Sequence, residues 1–205
     1  MNAKRETVSR ETVSTEMNLD VRDAYRRALD DFGQKVHLVR PDQWNLPTPC
    51  ADWDVHTLVN HLVRECLYAP HLLAGRTVAE MGDELEGDLL GDDPVKAFDR
   101  AAAAAVLAAY DEGALGRVVH LAFGDVAGEE YLCELFADAL IHTWDMARAI
   151  GLPDRLDPEL VDACAAWFEA VEDSYRETGV IGERRELPPD ADPQSRLLAA
   201  WGRGR

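Results

Sequence analysis

Four residues on an α-helix turn through about 400°, so Asp138 and His142 stand one turn apart on one helix face. A carboxylate and an imidazole at that spacing can grip one divalent cation. They can equally form an ordinary intrahelical hydrogen bond or ion pair. Ala137, Leu140 and Ile141 flank them, so the face is expected to be largely buried. A third donor stands far upstream. His61 lies between Asn60 and Leu62, three residues after Leu58, close to an apolar helical stripe. A histidine there is either a hydrogen-bonded core residue or a ligand. The other histidines, His37, His56, His71 and His120, have no partner at ligand spacing. Spacing alone therefore offers His61, Asp138 and His142 as a candidate triad without establishing it.

Other side chains near these three invite two readings each. Glu134 and Asp145 fall on the same side of the helix as His142, where an acid serves either as a base toward water or as a helix-pairing group. Asp145 and Arg148 are candidates for an ion pair. Arg64, one turn after His61, is an ordinary surface arginine or a clamp for an anionic substrate group. Trp53 and Trp144 either pack in the core or line a pocket. The chain has no phosphate-cradling Gly-x-x-x-x-Gly-Lys-Ser/Thr loop, no Gly-x-Gly-x-x-Gly, no Gly-x-Ser-x-Gly and no His-Glu-x-x-His.

The elements that must position these residues are helical. Val21, Ala24, Tyr25, Ala28, Phe32 and Val36 recur at helical spacing and predict a first helix from about Asp20 to Val39, stopped by Pro41. A Pro-rich connection, 41–53, carries two tryptophans. Asp54 caps a second helix, Val55 to Leu73, which bears His61. Residues 74–92 form a long glycine- and acid-rich connection with a helical turn near Val78. Asp93 and Pro94 open a third helix that runs through the alanine-rich stretch to Tyr110. Arg117 to Phe123 reads as a short extended piece. The fourth long helix, from Gly128 to just before Gly151, carries Asp138 and His142, and Asp157-Pro158 opens a fifth, through Thr178. A short helical piece, Leu197 to Trp201, closes the chain. The fold class expected is all-α, a helical bundle. The duplicated pentamer Arg5–Ser9 and Arg10–Ser14 lies in a polar stretch, and residues 1–16 are expected to be a flexible tail ahead of one domain spanning 17–205.

The 205 residues carry 21 basic and 39 acidic side chains, a net charge of 21 − 39 = −18. That sign argues against nucleic acid and against an anionic membrane surface. No run reaches the roughly 20 apolar residues of a membrane helix, and the N-terminus lacks a signal-peptide pattern, so a cytoplasmic location is expected. The four cysteines, Cys50, Cys66, Cys133 and Cys164, form no Cys-x-x-Cys pair and are expected to be reduced and mostly buried.

The run Trp44-Asn-Leu-Pro47-Thr48-Pro49-Cys50-Ala-Asp-Trp53-Asp-Val55-His-Thr-Leu58-Val-Asn-His61-Leu62 resembles the opening motif of the mycothiol-dependent maleylpyruvate isomerase N-terminal family, one of the DinB-like metal-binding four-helix bundles. Asp138-Ala-Leu-Ile-His142-Thr-Trp144-Asp145-Met-Ala147-Arg148-Ala149-Ile-Gly151 resembles its second motif. The ending Arg196-Leu197-Leu198-Ala-Ala-Trp-Gly202-Arg203 is similar to the close of a single-domain actinobacterial branch. The resemblance covers about residues 20–205. It implies a DinB-like bundle with a long crossover between helices two and three, supplied here by 74–92, and with extra C-terminal helical segments. It also implies a divalent metal held by His61, Asp138 and His142. The isomerase itself carries a further C-terminal domain, which this chain is expected to lack.

Two imidazoles and one carboxylate suit zinc, with nickel, manganese and iron as alternatives. The function expected is a metal-dependent thiol transferase or isomerase. Mycothiol, or another low-molecular-weight thiol, would be the co-substrate, and its metal-activated thiolate would attack a small electrophilic metabolite. The alternatives are a non-catalytic metal-binding bundle and a site that activates water for hydrolysis. Assembly, as a monomer or a homodimer, is left open by the residues.

Overall fold

The computed structural model describes residues 17–122, 124–179 and 181–204 (for 178 the backbone only). The tail expected over 1–16 lies outside the described residues. Helix α1, Val21–Val36, begins where the Asp20 carboxylate accepts the Arg22 backbone N–H. It ends three residues before the expected boundary. Leu38 and Val39 donate to Lys35 and Val36, a tighter turn than the α-helix, as the chain approaches Pro41, which disfavours helical geometry just before it.

Helix α2, Val55–Leu73, is capped by Asp54, whose carboxylate accepts the Thr57 N–H at 2.8 Å. A single turn, α3, Val78–Met81, is held by a Thr77–Glu80 capping box inside the long connection. Asn60 ties that connection to α2: its side chain donates to Gly87 O at 2.9 Å and accepts from Leu89 N at 2.8 Å. Helix α4, Pro94–Ala109, opens on Asp93, and a 3₁₀ turn at Ala114–Gly116 follows. The expected extended piece is half of a hairpin. Strand β1, Val118–Leu121, pairs antiparallel with β2, Gly124–Ala127, with Val119 opposite Val126.

Helix α5, Gly128–Ile150, terminates at Gly151, whose φ of 73° is the left-handed conformation that closes many helices. Helix α6, Pro158–Thr178, is capped by Asp157. Helix α7, Pro193–Ala200, starts four residues earlier than expected, because Asp192-Pro193 repeats the Asp-Pro opening of α4 and α6.

Four long helices make the bundle. α1 packs on α5 and α2 on α4, and contacts of α1 with α4 and of α2 with α5 close the ring. Phe32, Leu58, Leu62, Phe136 and Leu140 are wholly withdrawn from water at its centre. Burial of such a side chain stabilises the fold by about 1.5–3 kcal/mol. α6 lies across α5 and α1, and Arg27 of α1 binds Asp157 at 2.6 Å and Glu159 at 2.7 Å at its start. α7 packs on α6 through Phe168, Tyr175 and Trp201. The all-α expectation holds with the hairpin as a small addition. The cysteines are free; Cys66, Cys133 and Cys164 are buried and Cys50 partly so. Burial pushes the Cys66 thiol up to about 12, which makes it an inert packing group.

Candidate metal centre

The packing of α2 on α5 brings His61 to Asp138 and His142 across 77 residues of sequence. One donor atom from each lies within 4.8 Å of the others. The Asp138 carboxylate sits between the imidazoles, with Oδ2 at 3.0 Å from His61 Nε2 and Oδ1 at 3.2 Å from His142 Nε2. The rings are 5.2 Å apart and nearly perpendicular, and each turns its Nε2 toward one oxygen of the carboxylate. His142 is buried, while the Asp138 side chain keeps 27% of its exposure, so the cluster opens to solvent on one side.

Each imidazole has a carboxylate from its own helix behind it. His142 Nδ1 lies 2.9 Å from Asp145 Oδ2. A carboxylate only accepts, so Nδ1 donates a proton to Asp145, and Nε2 faces Asp138. His61 Nδ1 is a buried atom without a hydrogen bond, and Glu65 Oε1 stands 3.8 Å away. Burial opposes charge on His142, but the carboxylates of Asp138 and Asp145 outweigh it and hold the imidazolium up to about 9. Burial likewise opposes the charge on Asp138, and the two imidazoles outweigh it, keeping that carboxyl well below its ordinary range. Two imidazoles facing one carboxylate, one of them already oriented from behind, are a donor set that fits a divalent cation.

Trp53 covers the cluster. Its ring centroid is 4.8 Å from that of His61 and 5.5 Å from that of His142, against which it stacks at 24°. The loop before α2 delivers it: Trp53 N donates to Cys50 O, Thr48 N to Trp53 O, and Asp52 adopts a φ of 64° to make the turn. Of the paired readings of the two tryptophans, Trp53 lines the site and Trp144 is core.

The other candidates take definite partners, and one expected pair is corrected. Asp145 is not paired with Arg148, which binds Asp154 at 3.2 Å and lies over the Trp144 ring. Asp145 is fully buried between His142 and Arg203, so it has no face left for water or substrate. Glu134 is drawn toward Tyr175 of α6. Arg64 Nε lies 3.8 Å from Glu65, beside a carboxylate of its own helix. Arg203 and Glu65 are additions that sequence reasoning missed. The ending that contains Arg203 could be singled out as a motif, but no spacing ties it to α5.

The family model described as the mycothiol maleylpyruvate isomerase N-terminal domain matches residues 25–147, which include all three candidate ligands and Asp145. Two proteins of Mycobacterium tuberculosis, from different strains and both described as uncharacterized, are 32% identical over 182 residues, covering 88% of this chain and 96% of theirs. Among solved structures, the mycothiol-dependent maleylpyruvate isomerase superposes with a TM-score of 0.64 at 16% identity, and a point mutant of it with 0.65 at 15%. Each match covers 90% of this chain and 88% of the other, a likeness of fold. A match over 88% of that chain does not bear out the expected lack of the isomerase's further C-terminal domain. Among the described residues, no helix is long and apolar enough to cross a membrane.

Proposed function

The chain belongs to the mycothiol maleylpyruvate isomerase N-terminal domain family, and from that premise we propose that it uses a divalent metal ion and a low-molecular-weight thiol, mycothiol being the family's, to transform a small electrophilic metabolite. The observation that supports this reading is that donor atoms of His61, Asp138 and His142 lie within 4.8 Å of one another, with the carboxylate between the imidazoles still partly exposed. These three side chains would hold the ion, and zinc suits the nitrogen-rich set. A divalent ion with a single carboxylate ligand keeps a net positive charge, which favours the thiolate form of a thiol brought to it.

The chain's own residues do the rest. Asp145 keeps the His142 proton on Nδ1, so that Nε2 is the donor. Trp53 seals one flank of the imidazoles from water and offers an apolar face to an unsaturated or otherwise electrophilic substrate. The exposed side of Asp138 is the route by which thiol and electrophile reach the centre. A hydrolytic reading is less well supported, because Asp145 is buried between His142 and Arg203 and Glu134 interacts with Tyr175 of α6.

The test measures metal per chain in protein purified without added metal, then thiol consumption with maleylpyruvate and a panel of simple electrophiles. The expected result is close to one ion per chain and thiol-dependent turnover that a chelator abolishes and added metal restores. Full metal occupancy with no thiol-dependent change in any electrophile would leave the bundle a metal binder only.

A further inference from the structure

The C-terminal segment packs against α6 and reaches α5 through Arg203. Arg176 of α6 holds it at two points, donating to Gly182 O at 2.7 Å and to Ala200 O. Arg185 N donates to Ala199 O at 3.0 Å. Gly202 then crosses Gly182 so closely that a Cβ at 202 would come within 2.9 Å of Gly182 Cα, and its φ of 73° is one that L side chains rarely adopt. The next residue is Arg203. Its Nη1 donates to Trp201 O at 3.2 Å, while Nε and Nη2 fork onto the two Asp145 oxygens at 2.8–3.2 Å. Asp145 Oδ2 also accepts from His142 Nδ1.

We propose that Arg203 is a positioning residue of the metal centre, acting through Asp145 on His142, and that docking of residues 181–204 and retention of the cation are thereby coupled. The proposal rests on the reading of His61, Asp138 and His142 as metal ligands. Asp145 has no exposed surface, so its charge must be balanced within the protein. Arg148, the cation nearest in sequence, is committed to Asp154. Arg203 supplies the balance in the bidentate geometry that fixes a carboxylate plane, and a fixed carboxylate fixes the imidazole that donates to it. Without Arg203 the buried carboxylate loses the fork that fixes its plane, and with it the fixed acceptor that orients the His142 ring. Coupling between sites is reciprocal, so an ion that binds better with the segment docked also holds the segment down by the same factor.

The experiment titrates Zn²⁺ or Co²⁺ into metal-free protein against a chromophoric chelator, for wild type, Arg203→Ala, Arg203→Lys, Asp145→Asn and the double variant Asp145→Asn/Arg203→Ala. Circular dichroism checks that each is folded, and Arg203→Lys carries the test if Arg203→Ala is not. Affinity is expected to fall at least about tenfold in Arg203→Ala, in the range set by loss of outer partners of metal-bound histidines. Arg203→Lys, which keeps the charge and loses the fork, falls between it and wild type. The double variant binds no more than twofold worse than Asp145→Asn, because both changes break one chain of contacts. Amide exchange over residues 196–204 slows on adding metal to wild type and not to Asp145→Asn. A lower melting temperature in Arg203→Ala with metal affinity within twofold of wild type would overturn the proposal, leaving Arg203 a structural anchor. Failure of wild type to bind metal, or undiminished binding by His61→Ala, overturns instead the ligand assignment beneath it.

Discussion

The Trp53 indole lies flat on the His142 imidazole, centroids 5.5 Å apart and planes 24° apart, although the two residues come from a loop and a helix and stand 89 positions apart. Contact with both imidazoles makes Trp53 an optical reporter of whatever they bind. Addition of Ni²⁺ or Co²⁺, which quench indole emission at short range, is expected to lower the fluorescence of the five tryptophans unevenly. Most of the quenched fraction should disappear in Trp53→Phe, which keeps an aromatic face on His142. Identical quenching in Trp53→Phe and wild type would place the ion elsewhere.

The ligand assignment separates the histidines sharply. His61→Ala and His142→Ala each remove one of only two nitrogen donors and leave a pair too weak to hold a divalent ion through dialysis. Metal per chain should fall from near one to near zero in both. His120 pairs instead with Asp125 at 2.7 Å on the hairpin, and His120→Ala should keep its ion. Stability should fall less than metal content in the two ligand variants, because a site with an open face is not the main source of folding energy in a bundle with this core. Full occupancy in His61→Ala would remove α2 from the site.

How much of this was readable from the residues follows from the range of each interaction. The cap of α2 at Asp54 and the closing Gly151 of α5 are local signals, and both helices begin and end where those residues indicate. The motif residues His61, Asp138 and His142 could be singled out, but only the contact of α2 with α5 shows that their donor atoms meet. Strand β2 was missed because Gly-Asp-Val-Ala offers a single β-branched side chain and pairs mainly through its backbone. The Asp145–Arg203 pair spans 58 residues, and Arg148, three residues away, was the natural partner by helix geometry. That partner is lost to Asp154, which lies just beyond the end of α5.

Acid should loosen the C-terminal segment before it unfolds the bundle. Glu172 of α6 accepts from Arg184 Nε at 2.9 Å and from Arg176 Nη2 at 2.6 Å. The Arg184 and Arg176 guanidinium groups hold its carboxyl below the ordinary 4.5. A carboxyl whose pKa is lower folded than unfolded binds fewer protons in the folded state. Its stabilisation is therefore fully present above about 4.5 and is lost as the pH falls through the lower folded value. Wild type should lose melting temperature between pH 5 and pH 3 more steeply than Glu172→Gln, which should itself be less stable at neutral pH. Parallel pH profiles for the two proteins would show that Glu172 contributes nothing to the acid response.

The start of α5 is the closest backbone approach to any glycine among the described residues, and a hydrogen-to-methyl change there is expected to cost stability while leaving Asp138 and His142 in place. Gly128 N donates to Arg117 O at 2.8 Å, which fastens the first residue of α5 to the residue between the 3₁₀ turn and β1. A Cβ built on Gly128 would lie 2.0 Å from the Ala114 carbonyl oxygen and 3.1 Å from its carbon. Both are backbone atoms of the 3₁₀ turn, so no side chain can rotate to relieve the clash. The helix or the turn must move. Overpacking of this kind costs about 1–3 kcal/mol, and in a chain of this length each kcal/mol lowers the melting temperature by about 2–4 °C. Gly128→Ala should therefore melt about 2–12 °C below wild type, although alanine is the better helix former. The displacement enters α5 ten residues before Asp138, and Leu132, Phe136 and Leu140 lock the intervening turns in the core. Metal affinity is therefore expected to stay within a fewfold of wild type while the melting temperature drops. Gly128→Ala melting at or above the wild-type temperature would mean that the turn at Ala114 yields freely, and that α5 is positioned by its core contacts alone.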